Sequence, residues 1–135
     1  MLSKVNAMIR VLITTVILIS HSVTSFANPA IEKTINEVHW QKRIILLFDD
    51  EQHSPQKQLQ QWQKVDFDEW DIVTIQVSAD DAQLRQKHQV HENKTISILI
   101  GKDGTEKWRS SRLVDFSILE KLIEKMPMQR NESNL

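Results

Sequence analysis

The segment Arg43–Phe48, RIILLF, constrains the fold of this chain more than any other stretch of its sequence. One arginine is followed by five β-prone apolar residues, without the polar alternation of a strand that is exposed on one face. Such a run predicts a central strand that is buried on both faces. A sheet with such a strand needs a covering layer on each side, so an α/β fold is expected.

Three further strands are predicted over residues 71–78 (DIVTIQVS), 95–100 (TISILI) and 105–110 (TEKWRS). Helices are predicted after Ser54-Pro55, after a cap at Ser78 or Asp80, and after a cap at Asp115. The first two strands are separated by a crossover helix and should be parallel, whereas a tight turn makes the last two antiparallel. The expected fold is a thioredoxin-like, mixed four-stranded sheet with helices on both faces.

The chain contains two glycines, Gly101 and Gly104, and both lie between the last two predicted strands. Gly101-Lys102 is similar to the end of a phosphate-binding loop. That loop requires an earlier glycine, a Ser or Thr after the lysine, and a following helix. Here Asp103 follows the lysine, and the next segment is β-prone. Asp103-Gly104 instead predicts a hairpin turn, because glycine tolerates the positive φ of a tight turn.

Residues 1–27 predict a cleaved signal peptide. Lys4 and Arg10 precede an apolar run over residues 11–19. Ser25 and Ala27 occupy the −3 and −1 positions of a cleavage site before Asn28. The apolar run is shorter than the roughly 20 residues that span a membrane. We therefore expect a periplasmic or secreted protein without a membrane span. The remainder divides into a polar leader (28–37), one domain (38–128) and a polar tail (129–135).

Two features of composition exclude classes of function. The chain has no cysteine, which excludes disulfides, thiol-based redox or peroxidase activity, and cysteine-ligated metal sites. Loss of residues 1–27 removes two cations and no acid, which changes the formal net charge from −1 to −3. Binding to nucleic acid requires a basic surface, so a nucleic-acid partner is not expected.

The acidic segment 49–54 is the first candidate for a chemical site. Asp49, Asp50, Glu51 and His53 have side chains that suit a divalent metal. Acids before a helix also interact favourably with its dipole without any ion. His88 and His91 are interpreted as residues of a solvated helix end. No catalytic residue, metal ligand or cofactor is predicted.

Three stretches of the chain resemble a known family. WQKRIILLF, LIGKDGTEKWRSS and LEKLIEKMPMQRNE are similar to the signature of a thioredoxin-like domain of unknown function. That domain occurs in small exported bacterial proteins, is distantly related to peroxiredoxins, and has a relative in animal extracellular-matrix proteins of the sushi-repeat and coiled-coil type. The resemblance covers residues 38–132 and implies a thioredoxin-like fold with no established activity. The family usually has an arginine before Asp71, where this chain has Trp70.

The residues expected to bind are basic: Arg43, Lys102, Lys107 and Arg109. Arg43 is included because it matches the family's first strand. Lys107 and Arg109 flank Trp108 and should share one face of the fourth strand, where they could bind a small anionic ligand or an acidic protein partner. Charges on an edge strand also protect a sheet from aggregation, and this alternative stays open.

The sequence thus predicts a binding or interaction module that is not an enzyme. Two alternatives remain. One is an enzyme with a cysteine-free site between Asp49 and Ser54, and the other is an envelope-associated structural protein that assembles through the Trp108–Arg109 edge. Trp62 is expected in the core, whereas Trp70 and Trp108 are candidates either for packing or for anchoring a partner.

Overall fold

The computed structural model describes residues 28–49, 55–91 and 96–127. The helices are α1 (Pro29–Val38), α2 (Gln56–Gln61), α3 (Ala82–Lys87) and α4 (Phe116–Ile123), and the strands are β1 (Arg43–Phe48), β2 (Ile72–Val77), β3 (Ile96–Ile100) and β4 (Glu106–Ser110). The predicted signal peptide, the polar tail and most of the acidic segment lie outside the described residues. None of the described helices is long and apolar enough to cross a membrane.

The four strands form one mixed sheet in the order β2-β1-β3-β4. β1 pairs with β2 in parallel, with Arg43 opposite Ile72, and it pairs with β3 antiparallel, with Ile44 opposite Ile100. β3 and β4 form an antiparallel hairpin. The prediction of a parallel first pair and a C-terminal hairpin is confirmed, and all six residues of β1 are buried.

Successive residues of β1 point to opposite faces of the sheet, and each face is covered by two helices. Ile44, Leu46 and Phe48 belong to a core cluster with Leu84 of α3, against which α1 packs. Ile45 and Leu47 belong to a second cluster with Trp62, at the end of α2, and with residues of α4. The unbroken apolar run of β1 is therefore explained by burial on both sides.

Helix α1 occupies the segment that was predicted to be a polar leader, over residues 28–37. The Asn28 side chain accepts a hydrogen bond from the Ala30 amide at 3.1 Å, and Pro29 occupies the first turn. Ile31, Ile35 and Val38 have helical spacing and pack against the core, although no residue of α1 is fully buried. Three large apolar residues within ten give a weak sequence signal, and the helix depends on tertiary packing.

Helix α3 begins one residue after the later of its two expected caps. Asp81, rather than Ser78 or Asp80, is its N-cap, and the Asp81 carboxylate accepts from the Leu84 amide at 3.0 Å. Asp115 caps α4 as predicted, because its carboxylate accepts from the Ser117 amide at 2.9 Å.

The hairpin turn between β3 and β4 has the form that Asp103-Gly104 predicts. Gly104 has a φ of 78°, and its amide donates to the Gly101 carbonyl at 3.0 Å. The Asp103 carboxylate accepts from the Thr105 amide at 3.0 Å. Gly104 thus provides the positive φ of the turn, and β4 follows where a phosphate-binding loop would need a helix.

Candidate functional site

Three connections meet at the end of the sheet where β1 and β2 begin and β3 ends. The Trp40 amide donates to the Lys102 carbonyl at 2.8 Å, and the Arg43 amide donates to the Asp71 carbonyl at 2.6 Å. Trp40 and Asp71 have φ values of 67° and 50°, which non-glycine residues adopt only when the surroundings hold them there. We call this region the basal end.

Arg43 and Lys102, two of the predicted binding residues, lie together at the basal end. Lys102 is 6% exposed, and its Nζ is 2.8 Å from Oδ2 of Asp71. The Arg43 guanidinium is buried and donates from Nη1 to the Trp70 carbonyl at 2.9 Å. Both cations therefore hold the start of β2 in place and are largely enclosed by the chain itself.

Lys107 and Arg109 pair with acids of the hairpin. Lys107 Nζ lies 2.7 Å from Asp103 Oδ2, and this bond lowers the pKa of Asp103 to about 2. Arg109 binds both carboxylate oxygens of Glu106, at 2.6 and 2.7 Å, and this fork lowers the pKa of Glu106 and raises that of Arg109. Arg109 also donates to the His88 carbonyl at 2.8 Å, so it connects the edge strand to the end of α3.

A cleft of about 200 Å³ opens beside the basal end, between α1, the end of α3 and the sheet. Its lining consists of three isoleucines, two lysines, two histidines, one asparagine and both glycines: Ile35, Ile44, Ile100, Lys42, Lys87, His39, His88, Asn36, Gly101 and Gly104. No acidic side chain belongs to this lining. The cleft therefore combines an apolar floor with cationic and hydrogen-bonding side chains.

The two lysines of the cleft are paired with acids that lie outside its lining. Lys42 Nζ is 3.3 Å from Asp68, and Lys87 Nζ is 3.2 Å from Glu32, with the Lys87 side chain 52% exposed. Exposed ion pairs of this kind contribute only about 0–1 kcal/mol to the free energy of unfolding, so breaking them for a ligand costs little. An ammonium group has three donors, so each lysine can also bind a ligand.

The two histidines face the cleft from different elements. Burial, followed by the charge of Lys87, lowers the pKa of His88, which favours the neutral imidazole. Its Nε2 is buried and has no hydrogen-bond partner among residues 28–49, 55–91 and 96–127. A Cβ placed on Gly104 would lie 3.1 Å from Nε2 of His39, so a side chain at position 104 would narrow this part of the cleft.

The lining of the cleft combines ammonium, imidazole and amide groups with three isoleucines. It contains no serine, threonine, cysteine or carboxylate that could act as a nucleophile beside the histidines. The described part of the chain also contains no group of three or more His, Cys, Asp or Glu residues placed to hold a metal ion. What the cleft offers is a set of donors around an apolar floor, which suits a small anion.

No local pattern in the sequence indicates this cleft. Its polar lining comes from α1, the connection after α1, and the end of α3, and these segments are far apart in sequence. Because the helical pattern of α1 is weak, the sequence did not indicate that Asn36 and His39 lie next to the sheet. Two signals were available: the glycines, which the sequence pattern assigns to the turn alone, and His88, which it assigns to a solvated helix end. His88 instead is half-buried and lines the cleft.

The four tryptophans and the acidic segment 49–54 are the remaining candidates. Trp62 is buried in the core, as predicted, while Trp70 and Trp108 pack against the same cluster and are half-buried. The exposed tryptophan is Trp40, at 59%, and its ring stacks on His39 with centroids 5.0 Å apart. Of the acidic segment 49–54, the structure describes Asp49, so the alternative enzyme site remains a prediction.

Most of the chain is similar to a known protein family, and its fold is similar to a solved structure. A family model described as "Domain of unknown function (DUF4174)" matches residues 34–132. No curated protein matches the chain. A solved structure described as "Structure of a malarial protein" shares 23% sequence identity, covers 63% of this chain and 97% of its own, and has a TM-score of 0.50. At this identity the likeness concerns the fold alone.

Proposed function

The chain belongs to the DUF4174 family of domains of unknown function, and from this premise we propose that it is an exported, thioredoxin-like protein that binds a small organic anion without transforming it. The observation that carries the proposal is the lining of the cleft, which has two ammonium groups, two imidazoles and one amide but no carboxylate. Charge-assisted hydrogen bonds from such donors are the strong ones in anion recognition.

The size and the floor of the cleft narrow the class of ligand. The cleft has a volume of about 200 Å³. This space suits a short carboxylic acid, and it is smaller than the pockets that hold drug-sized ligands. Ile35, Ile44 and Ile100 favour a short apolar group attached to the anionic head.

The thioredoxin-like relationship is supported by the arrangement of the elements. The order β2-β1-β3-β4, with a parallel first pair, a C-terminal hairpin and helices on both faces, agrees with the thioredoxin-type core. Thioredoxin-like enzymes that use a thiolate need a cysteine at the start of the first crossover helix. This chain has none, which supports binding as the retained activity.

Export is supported by the signal pattern and by the start of α1. Cleavage after Ala27 would leave Asn28, the N-cap of α1, as the first residue of the mature chain. We expect N-terminal sequencing of protein recovered from the periplasm of a Gram-negative bacterial host to begin at Asn28. Recovery of the chain only in the cytoplasm, with residues 1–27 retained, would contradict this part of the proposal.

The binding function is tested by titration calorimetry with acetate, propionate and butyrate, each compared with its neutral amide. We expect the carboxylates to bind and the amides not to bind. Lys42→Gln and Lys87→Gln should each weaken binding by at least about tenfold, because a hydrogen bond to a charged group contributes about 1.5–3 kcal/mol.

Lys57→Gln is the matched control, because Lys57 is an exposed lysine of α2, which packs on the other face of the sheet. This variant should bind the carboxylates as the unchanged chain does. The proposal fails if no carboxylate binds, or if Lys57→Gln weakens binding as much as the two cleft variants.

A further inference from the structure

Strand β2 lies at one edge of the sheet, and its outer backbone groups point away from β1. The carbonyls of Asp71 and Val77 accept from the Arg43 and Asp49 amides of the β1 side, at 2.6 and 2.9 Å. Since hydrogen-bonding direction alternates along a strand, odd-numbered residues of β2 bond to β1 and even-numbered residues face outward. Ile72 uses its outward amide to bond the Phe67 carbonyl at 2.9 Å.

The outward amides and carbonyls of Thr74 and Gln76 form no hydrogen bond within residues 28–49, 55–91 and 96–127. No described strand pairs with this side of β2. Two consecutive outward residues thus present the donor and acceptor pattern that an additional strand would use.

The two edges of the sheet are built differently. β4, at the opposite edge, contains Glu106, Lys107 and Arg109, all in ion pairs. β2 reads IVTIQV, with five β-branched residues and no charge. Native edge strands usually carry charge, proline or a bulge that blocks pairing with another chain, and β2 has no charge or proline. Its edge is therefore open to strand addition.

We propose that β2 is a docking edge for an extended segment of a partner protein that carries basic residues at both ends. The connections before and after β2, residues 66–71 and 78–81, contain six carboxylates and no basic residue. Lys42 and Lys102 pair with Asp68 and Asp71, and Asp81 is buried as the N-cap of α3. The remaining acids, Asp66 and Glu69 before the strand and Asp80 after it, are exposed and give both ends of β2 a negative charge. An added strand with cationic flanks complements this pattern.

The same charges argue against a second copy of this chain as the occupant. If two β2 strands paired antiparallel, the acids of residues 66–71 would face those of residues 78–81. If the strands paired in parallel, each acidic connection would face its own counterpart. Like charges directly opposite one another are destabilising in both arrangements. A partner with the opposite charge avoids this repulsion. This inference does not rest on an anion in the cleft, and the two sites share only the Lys42–Asp68 pair.

The test uses hydrogen exchange with residue resolution and a capped nine-residue peptide, Lys-Lys-Val-Thr-Val-Thr-Val-Lys-Lys. In the free chain, the amides of Thr74 and Gln76 should exchange rapidly, whereas those of Val73, Ile75 and Val77 should be protected by β1. Addition of the peptide should slow exchange at Thr74 and Gln76 by at least about tenfold, because strand addition protects these two amides.

Three controls separate strand addition from other binding. A peptide with glutamate in place of lysine, and a peptide with N-methylated backbone amides, should both fail to protect Thr74 and Gln76. Thr74→Pro removes an outward donor and leaves the bonds to β1 intact, so it should weaken peptide binding. Because this variant could unfold, the N-methylated peptide gives the same test on the unchanged chain.

Two outcomes would overturn the proposal. One is the absence of any protection at Thr74 and Gln76 at millimolar concentrations of the lysine peptide. The other is protection of both amides that increases with the concentration of the chain alone, which would show that a second copy occupies the edge.

Discussion

Replacement of Trp62 by alanine is expected to lower the free energy of unfolding by about 3–5 kcal/mol. Trp62 is 1% exposed, and its indole packs edge-on against Phe67 and Phe116, with centroids 6.3 and 6.1 Å away. Its Nε1 also donates to the Val114 carbonyl at 2.9 Å. Alanine would leave a cavity between α2 and α4 and remove one donor from a carbonyl. Chemical denaturation followed by circular dichroism measures the loss.

Trp40→Ala is the matched control for this prediction. Trp40 is 59% exposed, so its side chain contributes little buried area. We expect this variant to lose less than about 1 kcal/mol. Equal losses for the two variants would contradict the assignment of Trp62 to the core and of Trp40 to the surface.

Replacement of Lys102 by alanine is expected to lower the free energy of unfolding by about 2–3 kcal/mol. Removal of one partner from a buried ion pair costs about 3–5 kcal/mol, and water partly compensates here because the Asp71 side chain is 41% exposed. The change also removes the buried aliphatic stem of Lys102. Asp71 would lose the contact that helps to hold its positive φ. The same denaturation experiment measures the effect.

Lys107→Ala is the comparison on the same hairpin. Lys107 also pairs with an aspartate, Asp103, but both side chains are about one-third exposed. We expect a loss below about 1 kcal/mol, as for other surface pairs. The loss in free energy of unfolding for Lys102→Met should lie between those of the two alanine variants, because methionine keeps an apolar stem and removes the charge. If Lys102→Ala were as mild as Lys107→Ala, the basal end would not depend on the buried pair.

The four basic residues near the basal end fall into two groups, which differ in burial and in their partners. Arg43 and Lys102 are enclosed and bond to the connection before β2, so they stabilise the basal end. Lys42 and Lys87 are paired only at the surface and line the cleft, so they are available to a ligand. Variants of the first group should act mainly on stability, and variants of the second group mainly on anion binding.

The sequence by itself determined the parts of the fold that depend on local pattern. The apolar run of β1 required burial on two faces, and a crossover helix required β1 and β2 to be parallel. Asp103-Gly104 required a hairpin, because few residues other than glycine adopt the φ of Gly104. The absence of cysteine excluded thiol chemistry without any structural information.

Only the tertiary structure decided where the polar side chains of distant segments meet. α1 has too few apolar residues to be distinguished from a leader, and its helix depends on packing against a sheet formed later in the chain. The cleft joins α1 to the end of α3 and to the hairpin glycines, and no local pattern encodes that contact. The basic residues that stood out in sequence are bonded within the chain. Arg43 and Lys102 are buried, because internal partners compensate their desolvation, whereas Lys107 and Arg109 pair at the surface.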